Sequence, residues 1–247
     1  MNLGLRDRTA IIGGASAGIG LAIAGALRGE GANVVMFSNE PDELARRAEE
    51  LGGVAVAGDQ RVDADLQRLV AVTIDTFGAI DVVVLNGGGP EAVAAIDVDD
   101  DAIRDGVSLM LLPVVRLTRL CLPRLRESGH GRIMAIVSTS VFEPIEDLAL
   151  SNTFRPAVLG WLKTLAREVG PSGVTVNAIA PGRIATRTFA EFYLERSMDE
   201  DLAGIPLGRF GDPREVGDLV CFLASERAAY VTGTVIPIDG GMTRSLI

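Results

Sequence analysis

Gly14, Gly18 and Gly20 fall within the run Gly13-Gly14-Ala15-Ser16-Ala17-Gly18-Ile19-Gly20, a G-x-x-x-G-x-G spacing between a β-branched run and a helical pattern. Glycines at such a turn let the backbone approach a pyrophosphate at a helix N-terminus, so the chemistry they suggest is dinucleotide binding. Alone the spacing is weak evidence, because glycine-rich turns are common. Three further segments close other β-branched runs: Asp59, then Asn86-Gly87-Gly88-Gly89, then Pro181-Gly182-Arg183-Ile184-Ala185-Thr186. Each by itself reads as a tight turn. Four at one edge of a sheet read as a ligand site, since ligands of open α/β sheets bind beyond the carboxyl ends of the strands. Ser138 closes another run, and Ser151 and Arg155 follow it at i and i+4 of a helical pattern, on one face.

The elements that must position these residues alternate from one end of the chain to the other. Strands are expected near Thr9 to Gly13, Asn33 to Phe37, Val54 to Ala57, Asp81 to Leu85, Arg132 to Ser138, Thr175 to Ala180 and Val235 to Asp239. Helices are expected over Ile19 to Arg28, Pro41 to Leu51, Asp65 to Phe77, Asp101 to Glu127, Ser151 to Val169 and Pro213 to Ser225. Asp212 before Pro213 and Asn39-Glu40 before Pro41 mark two helix starts, where a proline in the first turn loses no hydrogen bond. Short apolar strands alternating with helices imply βαβ units and a buried parallel sheet. The fold class expected is α/β, a doubly wound seven-stranded Rossmann sheet in one domain over residues 1–247. The stretch Arg183 to Arg209, polar with Met, Phe and Tyr, reads as a substrate loop or flap.

Composition narrows the function. The 247 residues carry a net charge of −10, and the 23 basic residues are 22 Arg and one Lys, Lys163. Schiff-base chemistry away from position 163 is therefore excluded. One His and two Cys a hundred residues apart, Cys121 and Cys221, cannot supply a usual zinc site, so no metal is expected. The same counts exclude a disulfide framework and point to a reducing cytoplasm. The acidic balance, with no basic run, argues against nucleic acid or an anionic membrane surface as partner. The densest uninterrupted apolar run, Leu109 to Val115, is seven residues long and contains a proline, so no membrane span is expected.

On these residues the chain resembles the short-chain dehydrogenase/reductase family nearly end to end. Gly14 to Gly20 is similar to that family's T-G-x-x-x-G-I-G with Gly13 in place of threonine, and Asn86-Gly87-Gly88 to its N-A-G. Gly131-Arg132-Ile133 through Ser138 resembles the strand that ends in the catalytic serine. Asn177 to Gly182 and Ile238-Asp239-Gly240-Gly241 resemble the C-terminal motifs. The resemblance implies an NAD(P)-dependent oxidoreductase acting on a small carbonyl or hydroxyl substrate. It implies Asp59 at the adenine, Asn86 near the adenine ribose, the Ile184 backbone at the nicotinamide amide and Thr186 at the phosphates. It also implies a homotetramer or dimer built on the helices Asp101 to Glu127 and Ser151 to Val169 and on the last strand.

Cofactor choice turns on the end of the second strand, where an acid binds the ribose 2′-hydroxyl of NAD and a nearby Arg accommodates the 2′-phosphate of NADP. The chain has Ser38-Asn39 and then Glu40. Ser38 lacks the carboxylate, and neither Asn39 nor Ala17 supplies a basic side chain. NAD and NADP both stay open.

The chemistry of the family uses a tyrosine as proton donor, a lysine four residues on that lowers its pKa, a serine that polarises the carbonyl and an asparagine that supports the lysine through water. Thirteen residues after Ser138 stands Ser151, four more give Arg155, and the asparagine aligns with Met110. Three of four positions are changed. No tyrosine lies between Ser138 and Lys163 to rescue the register, and Lys163 is eight residues past the expected lysine, about 12 Å further along a helix. Arg155 retains a fixed positive charge able to stabilise a developing alkoxide, while Ser151 would pass a proton only through water or Ser138. A branch of the family with Leu-Ser-Asn-x-x-Arg and N-G-G-P segments resembles Leu150 to Arg155 and Asn86 to Pro90 closely. A plainer reading makes Ser151 a helix cap and pairs Arg155 with Glu143, Glu146 or Asp147. Two other functions compete with redox catalysis at Ser138, Ser151 and Arg155: a nucleotide-binding homologue without activity, and non-redox chemistry on the same scaffold. His130 is expected in a turn, Trp161 on a buried helix face and both thiols on apolar helix faces.

Overall fold

A computed structural model of the protein describes residues 2–186 and 198–246. Seven parallel strands form one sheet in the order β3-β2-β1-β4-β5-β6-β7, with β1 Thr9–Gly13, β2 Asn33–Ser38, β3 Val54–Ala57, β4 Val82–Leu85, β5 Arg132–Ile136, β6 Thr175–Pro181 and β7 Val235–Ile238. Along β1 the side chains alternate between the two faces, as pleating requires. Ala10 and Ile12 join one apolar cluster and Ile11 the other. Helices α1 (Gly18–Gly29), α2 (Pro41–Leu51) and α8 (Pro213–Ala224) contribute to the first cluster. Helices α3 (Asp63–Phe77), α5 (Leu112–Glu127) and α6 (Ala149–Val169) contribute to the second. The expected doubly wound sheet is therefore present. Its order reverses between β1 and β4, which opens a crevice at their carboxyl ends where ligands of such sheets bind.

Three local expectations are corrected. The fifth strand stops at Ile136, two residues short of Ser138, because Ser138 begins a turn in which its Oγ accepts from Ser140 N at 3.1 Å. The fourth strand starts at Val82; Asp81, just before it, still donates from its backbone N to Thr9 O and accepts at its carbonyl from Arg132 N, and its carboxylate accepts from Thr9 N at 2.8 Å and Arg8 at 3.1 Å. The long helix expected over Asp101 to Glu127 is interrupted: α4 (Asp100–Gly106) passes into a wide turn, Val107–Leu111, before α5. Pro113 explains the break, since it has no N–H for the carbonyl of Leu109 four residues back. The Gln60 side chain takes that place, donating from Nε2 to Leu109 O at 3.1 Å. The span Asp100–Glu127 is long and apolar enough by length and composition to cross a membrane, and a third of its most apolar window, 33%, is buried in this chain. Of the expected flap, residues 187–197 lie outside the described residues; the described remainder includes α7 (Met198–Ala203).

Candidate active site

The glycine loop is built by close approach. A Cβ on Gly20 would lie 2.1 Å from Gly14 O, and one on Gly13 2.4 Å from Asn86 O, so neither position admits a side chain. Gly14 and Gly18 take positive φ, 57° and 55°, which favours glycine. Helix α1 has Ala17 at its N-cap, no side-chain cap and no acid in its first turn. Its first N–H groups and positive dipole end thus face the loop without a carboxylate of their own, as a pyrophosphate would need. Asn86 binds this loop to the end of β4, its Nδ2 donating to Gly13 O at 3.0 Å. Thr186 lies over the same loop, its Cγ2 3.3 Å from where a Gly18 Cβ would be. Thus Gly14, Ser16, Gly18, Ile19, Gly20, Asn86 and Thr186, expected at the cofactor, are brought together. The residues present fit a dinucleotide.

The remaining cofactor positions border the same edge. Pro181 ends β6, and Gly182 N donates to Ile238 O at 3.0 Å; a Cβ there would meet Asp239 Cβ at 2.7 Å. Ile184 is buried and forms a bridge with Gly211, while its carbonyl accepts from Thr186 N at 2.9 Å. Asp59 lies in a cleft with Ser38, Asn39, Gln60, Arg61, Gly87 and Gly88. Its carboxylate accepts from Arg61 Nη2 at 2.6 Å, and this pairing holds it below the usual carboxylate range. A Cβ on Gly87 would lie 2.4 Å from the Gln60 amide, so a side chain there would displace the end of Gln60. Gln60 thus couples the nucleotide edge to the break in the long helix, and sequence reasoning missed it; Pro113, four residues after the carbonyl it serves, was the available signal.

At the chemistry end, Ser151 is the third residue of α6 and is buried, 6% exposed. It does not cap the helix, whose N-cap is Leu148. Its Oγ lies 3.2 Å from Ser140 Oγ, not on Ser138 as expected for a relay. Ser140, also buried, was not singled out from sequence, because its meeting with Ser151 depends on the turn after β5. Ser138 Oγ accepts from Ser140 N and keeps its own proton free for another acceptor. Met110, in the asparagine position, is buried with Leu150 and Phe154, so that place is apolar.

Arg155 does not pair with Glu143, Glu146 or Asp147; Nη1 donates to Ile136 O at 2.9 Å, and Nε is sealed from solvent without a partner among the described residues. The residue as a whole is half-buried, and burial of the charged end pulls its pKa down from 12.5 to about 10, so it is still a cation at neutral pH. It walls a small cavity, about 30 Å³, with Asn86, Gly87, Gly88, Met110 and Ile136. Lys163 is bound elsewhere, donating to Gly233 O, and takes no part. His130 is buried with its Nε2 2.8 Å from Ala224 O, Trp161 is partly buried against the core, and both thiols are buried. Among the described residues no group of His, Cys, Asp and Glu is placed to hold a metal.

Comparison with known proteins identifies the family. The family model described as enoyl-(acyl carrier protein) reductase matches residues 14–243. Oxidoreductase UcpA of Salmonella typhimurium is 37% identical over 97% of this chain and 95% of that protein. The 3-oxoacyl-[acyl-carrier-protein] reductase FabG of Vibrio harveyi is 33% identical over 97% and 99%. Among solved structures, L-sorbose reductase from Gluconobacter frateurii, complexed with NADPH and L-sorbose, superposes with a TM-score of 0.93 at 30% identity, covering 100% of both chains. YwfH, an NADPH-dependent reductase involved in bacilysin biosynthesis, gives 0.93 at 26% identity over 97% and 99%. With the family model matching residues 14–243 and relatives above 30% identity covering 97% of it, the chain belongs to the short-chain dehydrogenase/reductase family and is an NAD(P)-dependent oxidoreductase.

Proposed function

We propose that the protein interconverts a small carbonyl compound and its alcohol at a site where Ser138, Ser151 and Arg155 stand where the family has serine, tyrosine and lysine. The observation that carries this reading is Arg155: a cation without a carboxylate partner among the described residues, held by a backbone carbonyl at the end of β5, on the wall shared with Asn86 to Gly88. A positive charge in so apolar a setting is costly unless it faces developing negative charge, and there it is worth far more than in water.

When bound, the nicotinamide supplies or takes up the hydride. Gly14, Ser16, Gly18, Ile19, Gly20, Ser38, Asn39, Asp59, Asn86, Gly87, Gly88, Pro181, Gly182, Ile184 and Thr186 would hold the dinucleotide as a whole. Ser138 orients the carbonyl, since its Oγ, already accepting from Ser140 N, has one proton to donate. Arg155 supplies fixed charge to the oxygen but does not exchange a proton near neutral pH. The proton is handed on through hydroxyls, and the contact between Ser140 Oγ and Ser151 Oγ supports a relay of two serines.

The chain acts as one domain, and its exposed apolar surface supports a homotetramer or dimer: Ile103 on α4, Phe222 on α8 and the half-exposed strand β7 are uncovered in a single copy. Two buried free thiols suit the cytoplasm. The test is turnover of NADH and NADPH on a panel of small aldehydes, ketones and oxoesters, alongside nucleotide binding. Reduction of one substrate class, lost in Arg155→Met while nucleotide binding persists, is the expected result. Nucleotide binding without turnover on any class overturns it.

A further inference from the structure

We infer that Asn152 is a positioning residue for the reaction: its side chain pins Ile145 and so fixes the loop that leads from the turn of Ser138 and Ser140 round to Ser151. The inference rests on the redox reading above and on the pair of serines within it.

Asn152 is the fourth residue of α6 and stands next to Ser151. Asparagine is a poor helix former, because its amide competes with helical backbone bonds, and it does not cap this helix, whose N-cap is Leu148. Its backbone is nonetheless helical, Asn152 N donating to Leu148 O at 2.8 Å. The side chain turns back onto the loop that precedes the helix. Oδ1 accepts from Ile145 N at 3.0 Å, and Nδ2 donates to Ile145 O at 2.8 Å. The amide thus exchanges two bonds with one residue, as a facing residue of a paired strand does.

Ile145 lies between two anchored ends. Upstream, Phe142 N and Glu143 N donate to Thr139 O at 2.9 and 3.3 Å, which closes the turn after β5. Downstream, Val93 N donates to Asp147 O at 2.6 Å and Ala149 N donates to Val93 O at 3.2 Å. That bridge ties the start of α6 to the segment continuing from Asn86 to Pro90, and Asp147 enters it at a φ of 58°. Asn152 joins the middle of the loop to the helix. The two hydroxyls on either side of this loop, Ser140 Oγ and Ser151 Oγ, stand 3.2 Å apart. A proton passes between hydroxyls only across a hydrogen bond, so a shift of about an ångström at either serine interrupts the pair. An unpinned loop would also have to be ordered again, at an entropic cost, before each transfer.

The test is Asn152→Asp, which keeps the shape and the acceptor for Ile145 N but sets a second oxygen against Ile145 O. Ionised, the two oxygens repel; protonated, the carboxyl donates again and the clamp is restored, so acid repairs the variant. The readouts, each taken relative to wild type at the same pH, are hydrogen exchange of the peptide 141–148 by mass spectrometry, nucleotide affinity by titration, and kcat for carbonyl reduction. Glu143, Glu146, Asp147 and Arg155, the charged groups of the loop and of α6 around Asn152, are common to both proteins, so this comparison cancels them. At about pH 8 the variant exchanges about tenfold faster in this peptide and loses about tenfold in kcat, the size expected for one or two lost buried hydrogen bonds, with nucleotide affinity unchanged. At about pH 5 both return to within about threefold of wild type. Asn152→Ala shows the losses at both pH values. Faster exchange with an unchanged kcat would make Asn152 a structural brace, and unchanged exchange would remove the clamp; either overturns the inference while the redox reading stands. Wild type without turnover on any carbonyl class overturns the redox reading, and this inference with it.

Discussion

Arg155 carries a cost that its function has to justify, and that cost is measurable. Burial lowers its pKa from 12.5 to about 10. Such a shift is a difference of roughly 3 kcal/mol between the charged and neutral side chain, reduced to roughly 2 by the partial exposure of the residue. The sign follows from the direction. The folded chain holds the proton less tightly than the unfolded one, so folding is penalised in full below about pH 10 and relieved only as pH rises through that value. Across the neutral range the penalty is constant. Replacing Arg155 with Met removes it and keeps an unbranched side chain beside Val84, Met110, Leu117 and Val158. What is lost is the bond to Ile136 O, worth about 1.5–3 kcal/mol for a charged donor. The two nearly cancel, so Arg155→Met should unfold in urea within about 1 kcal/mol of wild type, while turnover falls about a hundredfold, the usual effect of removing a group that stabilises developing oxyanion charge. A loss of more than about 2 kcal/mol, the middle of the roughly 1–3 kcal/mol range for a buried polar group left unsatisfied, would show that the guanidinium is a structural brace and refute the reasoning.

Three further outcomes follow from the geometry. Ser151→Tyr combined with Arg155→Lys restores the family's donor and lysine at i and i+4 and should raise carbonyl reduction; an unchanged rate with an intact fold would mean the register of α6 is misassigned. Gly20→Ala places a Cβ where Gly14 O stands 2.1 Å away, so it should abolish nucleotide binding in a titration while a circular dichroism spectrum stays native-like; normal affinity would exclude the close-packed loop as the dinucleotide cradle. His130 is held below its usual 6.5, first by burial and then by the charge of Arg132. The unfolded chain therefore binds its proton more readily, and stability, complete above about pH 6.5, is lost as pH falls through the folded value. Urea midpoints at pH 7.5 and 5.5 should differ in wild type and converge in His130→Gln; an equal slope in the variant would assign the acid loss to carboxylates.

The parallel sheet and its ligand edge were legible because they depend on local pattern. Apolar runs buried on both faces, glycine spacing and strand-to-helix alternation are written in consecutive residues, and their order along the chain sets the order of βαβ units. Strand and helix ends were less legible. Whether Ser138 continues β5 or turns away depends on its Oγ finding Ser140 N. Pro113 marked a fault in the long helix, but the donor that answers its missing N–H, Gln60, lies about fifty residues earlier.

The sequence by itself determined that no tyrosine follows Ser138 at the family's interval, that Ser151 and Arg155 share a helix face, and that one His, two distant Cys and the single Lys163 are the residues on hand for a usual zinc site or a Schiff base, because these rest on residue type and covalent spacing alone. Only the tertiary structure decided what those residues meet: Ser151 with Ser140 rather than Ser138, Arg155 with a backbone carbonyl rather than an acid, and Glu40 with Ser16 on the glycine loop. The reason is physical. Residue type and spacing fix which groups a chain carries and which face of an element they share. Which partner answers a buried hydroxyl or charge is settled by the packing of elements remote in sequence, since a polar group withdrawn from water must take whatever acceptor or donor the fold brings within about 3 Å.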